Sequence, residues 1–511
     1  MQGKKQFTEK LFTNFQLSDR VPEDNFYRRL KAVLNLQWLY KATKKHYGTE
    51  GQQSIDPVVF LKLMLIGYLE NLGSDRRIVN TVSMRLDLLF FIGYNIDEPL
   101  PWHSTLSRTR QLYGEGLFKQ LFRDVLKQCI DKGMVAGRRQ VMDSVAVKAN
   151  AGMDSLTEKE ILDDSSVYTD ELKSEEEQSD EDEDKGPDSH RNKTVSAVRH
   201  KAVELHHQWK AKAYKDMPKR KHSKFVSNHT HYSSTDPDAR VSVKPGKPRQ
   251  LNYLAQVSVD TAHHVITQIQ TDYADKKDSQ CLPSLLTNTI NNLKEEGLQV
   301  EQVYADAGYS SGEALQVLED HNITGYIPNF GQYKPSRQGF TYDKDNDRYS
   351  CSRGVHLPFK KITTTSLGYK MKVYRSSAKD CGKCPLRSVC IGKSDFKKID
   401  DSIDKPFYDR MHARMQTINK EKTRQLRSST VEPVLGTLVN FLAMRRVNTR
   451  GIKQAAKCIL MSAIAYNLKK LLKWESRKIK VAAMAKMKEA ENVFKNFALF
   501  IFRSVRQCPS L

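Results

Sequence analysis

The sequence predicts an α/β protein: a mixed β-sheet with flanking helices, preceded by an all-helical unit and interrupted by a small β-rich segment containing cysteines. Three patterns predict it. Apolar residues at three- and four-residue spacing run through the first 135 residues, as amphipathic helices require. Val141, Val145 and Val147, then Leu251–Asp260 and Val265–Thr271, read as strands, the last two joined across Thr261–His264 as a hairpin. Val303-Tyr304-Ala305 followed by Gly308 and Ser310-Ser311 reads as strand, turn and capped helix.

The chain of 511 residues exceeds one ordinary core, so roughly two to four structural units are expected. It carries 83 Lys and Arg against 60 Asp and Glu, net +23. Much of the acid sits in one run, Asp163 to Asp184, which leaves the remainder more basic still. Such a surface suits a polyanion, because each neutralised phosphate releases counterions. No apolar run nears the ~20 residues a bilayer demands. Met1–Gln6 lacks a signal-peptide core, and eight cysteines without such a signal point to reduced thiols in an intracellular protein.

In chain order, Asn25–Tyr47 reads as a helix with Phe26, Leu30, Val33, Leu34 and Trp38 on its apolar face. Pro57 opens a second helix, and Ser74 or Asp75 caps a third. After Leu88–Gly93 and the loop Pro99–Trp102, His103–Arg110 reads as a capped helix start carrying Arg108 and Arg110. Short helices, a tight turn and a basic helix allow a helix-turn-helix, with a plain helical bundle as the alternative.

The strand Gln140–Asn150 holds one acid, Asp143. An acid in a buried strand must be exposed at an edge, paired, or bound to metal. Residues 152–250 interrupt the sheet: first the acidic run, too charged to pack, then Lys210, Lys212, Lys219, Arg220 and Lys221 among aromatics, a pattern fit for phosphate contact or for a solvated helix. Asp306 follows a strand end, where it can hold a cation or cap the next helix. In the β-rich segment 331–414, Cys381, Cys384 and Cys390 with Cys351 upstream allow a four-thiolate zinc site or simply reduced thiols. Ser428–Thr430 reads as the cap of a late helix with Glu432 and Pro433 in its first turn.

Asp143, Asp306 and Glu432 are three acids on separate segments that can meet at one sheet edge and hold two Mg²⁺ ions. Several segments together make the chain resemble the DDE transposases of bacterial insertion sequences. They are Ser104–Arg108, Met142–Ala151, Thr235–Arg240, Ala305–Tyr309, Cys381–Arg387, Val431–Gly436 and Ala465–Lys469, in the family's order. The resemblance implies an RNase H-like catalytic core, with Asp143, Asp306 and Glu432 as the catalytic, Mg²⁺-holding triad and Mn²⁺ able to substitute. It implies cleavage at terminal inverted repeats, strand transfer of the freed 3′-OH to target DNA, a homodimer in the synaptic complex, and a cytoplasmic, nucleoid-associated protein without membrane contact. The alternative is a catalytically silent DNA-binding protein or repressor. The expected division is a helical DNA-binding unit over 1–135, a core over 136–330 and 415–475, insertions at 152–250 and 331–414, and a tail over 476–511. One branch of the family carries Tyr and Arg before the glutamate and Lys after it. Those positions here are Gln425, Ser428 and Val439, with Arg424 and Arg427 close by as DNA contacts.

Overall fold

The computed structural model describes residues 15–476 apart from 49, 51–53, 159–227, 229–230, 243–247, 331–332, 334 and 366–368. The acidic run, the basic cluster Lys210, Lys212, Lys219, Arg220 and Lys221, and residues 477–511 lie outside the described residues.

The N-terminal unit is helical throughout: α1 (Leu17–Arg20), α2 (Phe26–Val33), α3 (Trp38–Thr43), α4 (Pro57–Leu69), α5 (Asp75–Ser83), α6 (Leu86–Ile92), α7 (His103–Leu112) and α8 (Glu115–Asp131). The Asn25 side chain caps α2 by accepting the Tyr27 and Arg28 amides, and Asp56 caps α4 by accepting those of Val58 and Val59. The single helix expected over Asn25–Tyr47 is broken after Val33. Leu34 is extended there, and the Asn35 side chain takes the Gln37 amide, a local bond that competes with the helix ladder. Helices α6 and α7 are separated by residues 93–102, longer than the roughly 3–4-residue turn of a helix-turn-helix. Trp102 stands at the N-cap of α7 and makes no side-chain cap bond, so the helix start expected to be capped is not.

Strand β1 (Arg139–Lys148) follows; β2 (Leu156–Glu158) and β3 (His231–Ser233) form a separate two-stranded ladder. The main sheet adds β4 (Arg240–Ser242), β5 (Gln250–Asp260), β6 (Ile266–Tyr273), β7 (Gln302–Tyr304) and β8 (Thr324–Tyr326). Its path is β6-β5-β1-β7-β8, with β4 beside β5 at the start of that strand. Strand β5 runs antiparallel to β1 and β6, while β1, β7 and β8 are parallel. Helix α9 (Asp278–Lys294) joins β6 to β7, and α10 (Gly312–Asp320) joins β7 to β8.

A second sheet, β9 (Phe340–Asp343), β10 (Arg348–Cys351), β11 (His356–Thr364), β12 (Lys370–Arg375) and β13 (Lys398–Ser402), forms an antiparallel meander. It carries the short helices α11 (Ala378–Gly382) and α12 (Arg387–Cys390) between its last two strands. The chain then returns through α13 (Lys405–Thr417), α14 (Lys420–Phe441) and, last among the described residues, α15 over 452–476.

Successive side chains of the main sheet point to opposite faces, so its two faces bury different sets. One face joins Val141, Val257 and Val259 to Leu61 and Phe91 of the helical unit, Val431 and Val434 of α14 and Ile464 of α15 in one continuous core. The other packs Met142, Val303 and Ala305 against Leu282 and Leu286 of α9 and Leu315 of α10. Helix α14 corrects the expected start at Ser428–Thr430. It begins eight residues or more earlier because the Asn419 side chain accepts the Glu421 and Lys422 amides, and Pro433 lies inside the helix. Pro433 breaks one ladder bond without ending the helix, since Val431, Val434 and Leu438 are buried against the core on both sides of it.

Candidate active site

Asp143 lies at the middle of β1, and Asp306 comes two residues after the last residue of β7. In the parallel pairing Val141 sits beside Tyr304. Continued by two residues, the same register sets Asp143 beside Asp306 on neighbouring strands, whose spacing is about 4.8 Å. Paired residues share a face, and this is the face that α14 covers. Its Arg427 reaches down to Asp143, Nη1 to Oδ2 at 3.3 Å. Asp143 Oδ1 accepts the Ser144 amide at 2.8 Å, and Asp306 Oδ1 accepts that of Gly308 at 2.9 Å.

A third carboxylate stands here that the sequence reading missed. Asp278 opens α9, and its Oδ1 accepts from Gln256 Nε2 at 2.8 Å. Gln256 Oε1 in turn accepts the hydroxyl of the buried Tyr309. Gly308 shows how tightly Asp278 and Asp306 close in. A Cβ there would lie 3.0 Å from Asp306 Oδ1 and 3.4 Å from Asp278 Oδ2, so the glycine leaves room for both oxygens. Asp143 responds to this crowd. Burial pushes its carboxyl up from 3.8 to about 6, the charges of Asp306 and Asp278 push the same way, and the Ser144 amide and Arg427 pull it back. Among the described residues, Arg427 is the cation in direct contact with Asp143.

Beside Asp306 opens a cavity of about 540 Å³. Lys420, Arg424 and Arg427 from α14 line one side, and Tyr304, Tyr326 and Phe330 another. Tyr304 and Tyr326 stack at 4.7 Å, and Phe330 is 62 % exposed. Positive charge with aromatic faces suits a strand of nucleic acid.

The other expected site residues are placed as follows. Glu432 is exposed on α14, five residues and about 140° around the helix from Arg427. Among the described residues, no group of three or more His, Cys, Asp or Glu side chains is assembled as a metal cage, so neither Asp278 nor Glu432 completes one with Asp143 and Asp306. Arg424 is exposed at the cavity, and Arg108 is exposed on α7. Arg110 is a correction to the expected DNA contacts: it is 2 % exposed and ion-paired with Asp75, so it serves the helical core instead of a groove. Cys351, Cys381, Cys384 and Cys390 all line one small cavity in the second sheet's unit.

Comparison with known families gives two matches, neither of which spans Asp143 or Asp306. Residues 15–112 match the family model described as "Transposase domain (DUF772)", and residues 350–472 match "Transposase DDE domain". No curated protein matches the chain. Both matches are to transposase domains, one over the helical unit and one over the second sheet, α14 and α15. Together they support assignment of the chain to the DDE transposases of insertion-sequence type. No described helix is long and apolar enough to cross a membrane.

Proposed function

We propose that the protein binds the terminal inverted repeats of its own element, cuts the strands there and joins the freed 3′-OH to target DNA. The observation that carries this reading is Asp143 on β1 and Asp306 just past the neighbouring strand β7, with Asp306 lining a cavity shared with Lys420, Arg424 and Arg427. The strand order supports an RNase H-like core: in chain order its five main strands lie third, second, first, fourth, fifth, with the second antiparallel to the first.

Asp143 and Asp306 are the residues that would hold Mg²⁺, and Asp278 is the third acid the geometry brings to them. Such ions, when bound, activate the attacking hydroxyl and stabilise the leaving oxygen of a phosphodiester. Glu432, the third acid implied by the resemblance, is proposed as a further ligand reached from α14. Arg424 and Lys420 draw the DNA backbone along the cavity, and Arg427 balances the charge of Asp143 until the phosphate arrives. Arg108 is proposed as an end-recognition contact from the helical unit, and two copies would hold the paired ends.

A second reading, a DNA-binding protein without cleavage, is favoured by Arg427 lying on Asp143 and by the exposed Glu432. One assay separates them. Labelled terminal-repeat DNA with Mg²⁺ and the protein should yield nicked and joined products, while the Asp143→Asn and Asp306→Asn variants bind the ends and yield none. Binding without products from the parent protein would favour the silent reading.

A further inference from the structure

The second sheet's unit is poorly provided with core. Five strands and two short helices span Phe340–Ser402, yet the buried cluster inside them is Tyr349, Leu357, Tyr374 and Ile399, with Phe340 packed against it. A unit of that size without a larger core is ordinarily held by a disulfide or a metal. Its cysteines are all free thiols, half-buried, and they come from separate places in the chain. Cys351 ends β10, where Gly354 N–H donates to the Cys351 carbonyl in a tight turn. Cys381 and Cys384 flank the end of α11, with the Cys384 amide bonded to the Cys381 carbonyl, and Cys390 ends α12.

These four thiols nevertheless line one cavity of about 30 Å³. That is the space of one water molecule, too small for an organic ligand and sufficient for a bare ion. Phe340 and Ile391 wall it with apolar surface, and Arg387 and Lys397 stand at it. Lys397 Nζ donates to the Cys390 carbonyl at 2.8 Å. Two cations at the rim, against one acid, Asp380, offset the net negative charge that four thiolates keep after binding a divalent ion.

We propose that Cys351, Cys381, Cys384 and Cys390 form a structural zinc site that pins α11 and α12 to the second sheet. Among the described residues the cage is not preformed, so binding requires the four thiols around this cavity to draw in on the ion. Four soft ligands with no open position fit a structural Zn²⁺ rather than a catalytic one, and the site is separate from the Asp143–Asp306 pair. Each thiol gives up its proton on binding, so uptake releases protons and weakens as pH falls.

The test uses the full chain purified under reducing conditions with zinc supplied. Elemental analysis should find about one zinc per chain, and Co²⁺ exchanged into the protein should show the thiolate-to-cobalt charge-transfer band of a tetrahedral sulfur site. Cys384→Ser and Cys390→Ser should each lose most of the zinc. Removing zinc from the parent protein with a chelator should speed proteolysis within 376–397 while the helical unit stays resistant, a readout that needs no variant to fold. The proposal is overturned if the fully reduced parent protein takes up no stoichiometric zinc, if cobalt binds without the charge-transfer band, or if the cysteines prove paired as disulfides.

Discussion

Replacing Asp143 with asparagine should stabilise the protein at neutral pH while removing its cleavage activity. The Asp143 side chain is 17 % exposed, and its carboxyl is pushed up from 3.8 to about 6 by burial, then by the neighbouring charges. At about 1.4 kcal/mol per pKa unit, holding it ionised costs the native state about 3 kcal/mol. The folded value lies above the unfolded one. The cost is therefore absent below about pH 4, grows between about pH 4 and 6, and is constant above that range. Asparagine keeps an oxygen for the Ser144 amide and drops the charge. Urea unfolding without added divalent cation should show parent and variant nearly equal at about pH 4, with the variant ahead by up to about 3 kcal/mol at about pH 8. Saturating Mg²⁺ should narrow that gap by stabilising only the parent, through mass action. A variant less stable than its parent at pH 8, or a gap that ignores pH, would refute the reasoning.

Other outcomes follow from the same geometry. Asp306→Asn should abolish cleavage with end binding retained in a gel shift, and cleavage above a few percent of the parent rate would take Asp306 out of the site. Asp278→Asn removes a like charge beside Asp143 and should move the acid limb of the pH–activity profile to lower pH; Arg427→Ala removes the countercharge and should move it higher. Glu432→Gln should lower Mg²⁺-dependent activity by orders of magnitude and Glu421→Gln should not; the reverse order would reject Glu432 as a ligand. Arg110→Ala leaves Asp75 unpaired in the helical core and should cost about 3–5 kcal/mol in denaturant unfolding, whereas Arg108→Ala should weaken terminal-repeat binding without changing stability.

The sheet was legible because its signals were local. The hairpin of β5 and β6 and the Val303–Gly308 turn follow alternation and turn chemistry, and they lie where those rules put them. The approach of Asp143 to Asp306 follows from the parallel pairing of Val141 with Tyr304, some 160 residues on, which alternation alone does not state. Asp278 escaped notice because an acid at the first position of a helix reads as an ordinary dipole partner. Only the packing of α9 brings it to the site. Arg110 could have been read correctly: it lies four residues after Leu106, on the same buried side of α7, while Arg108 lies off that side. The start of α14 was misplaced because Pro433 looked like a first-turn proline, although Asn419 upstream carries the capping chemistry.

The continuous core beneath the helical unit gives the protein the properties of a fixed gauge. Leu61 and Phe91 share one buried cluster with Val141 of β1 and Ile464 of α15, Lys457 Nζ donates to the Arg110 carbonyl, and Arg29 donates to that of Leu472. The helices are thus fastened to the strand that carries Asp143 by shared packing. If the helical unit grips the element's end as proposed, the span from gripped base pairs to cut phosphate is set by the fold. One base pair inserted between them shifts the scissile phosphate by about 3.4 Å and turns it by about 34° around the duplex axis. The protein would have to spoil either its grip or its cut, so spacing in the terminal repeat should matter to it as much as sequence.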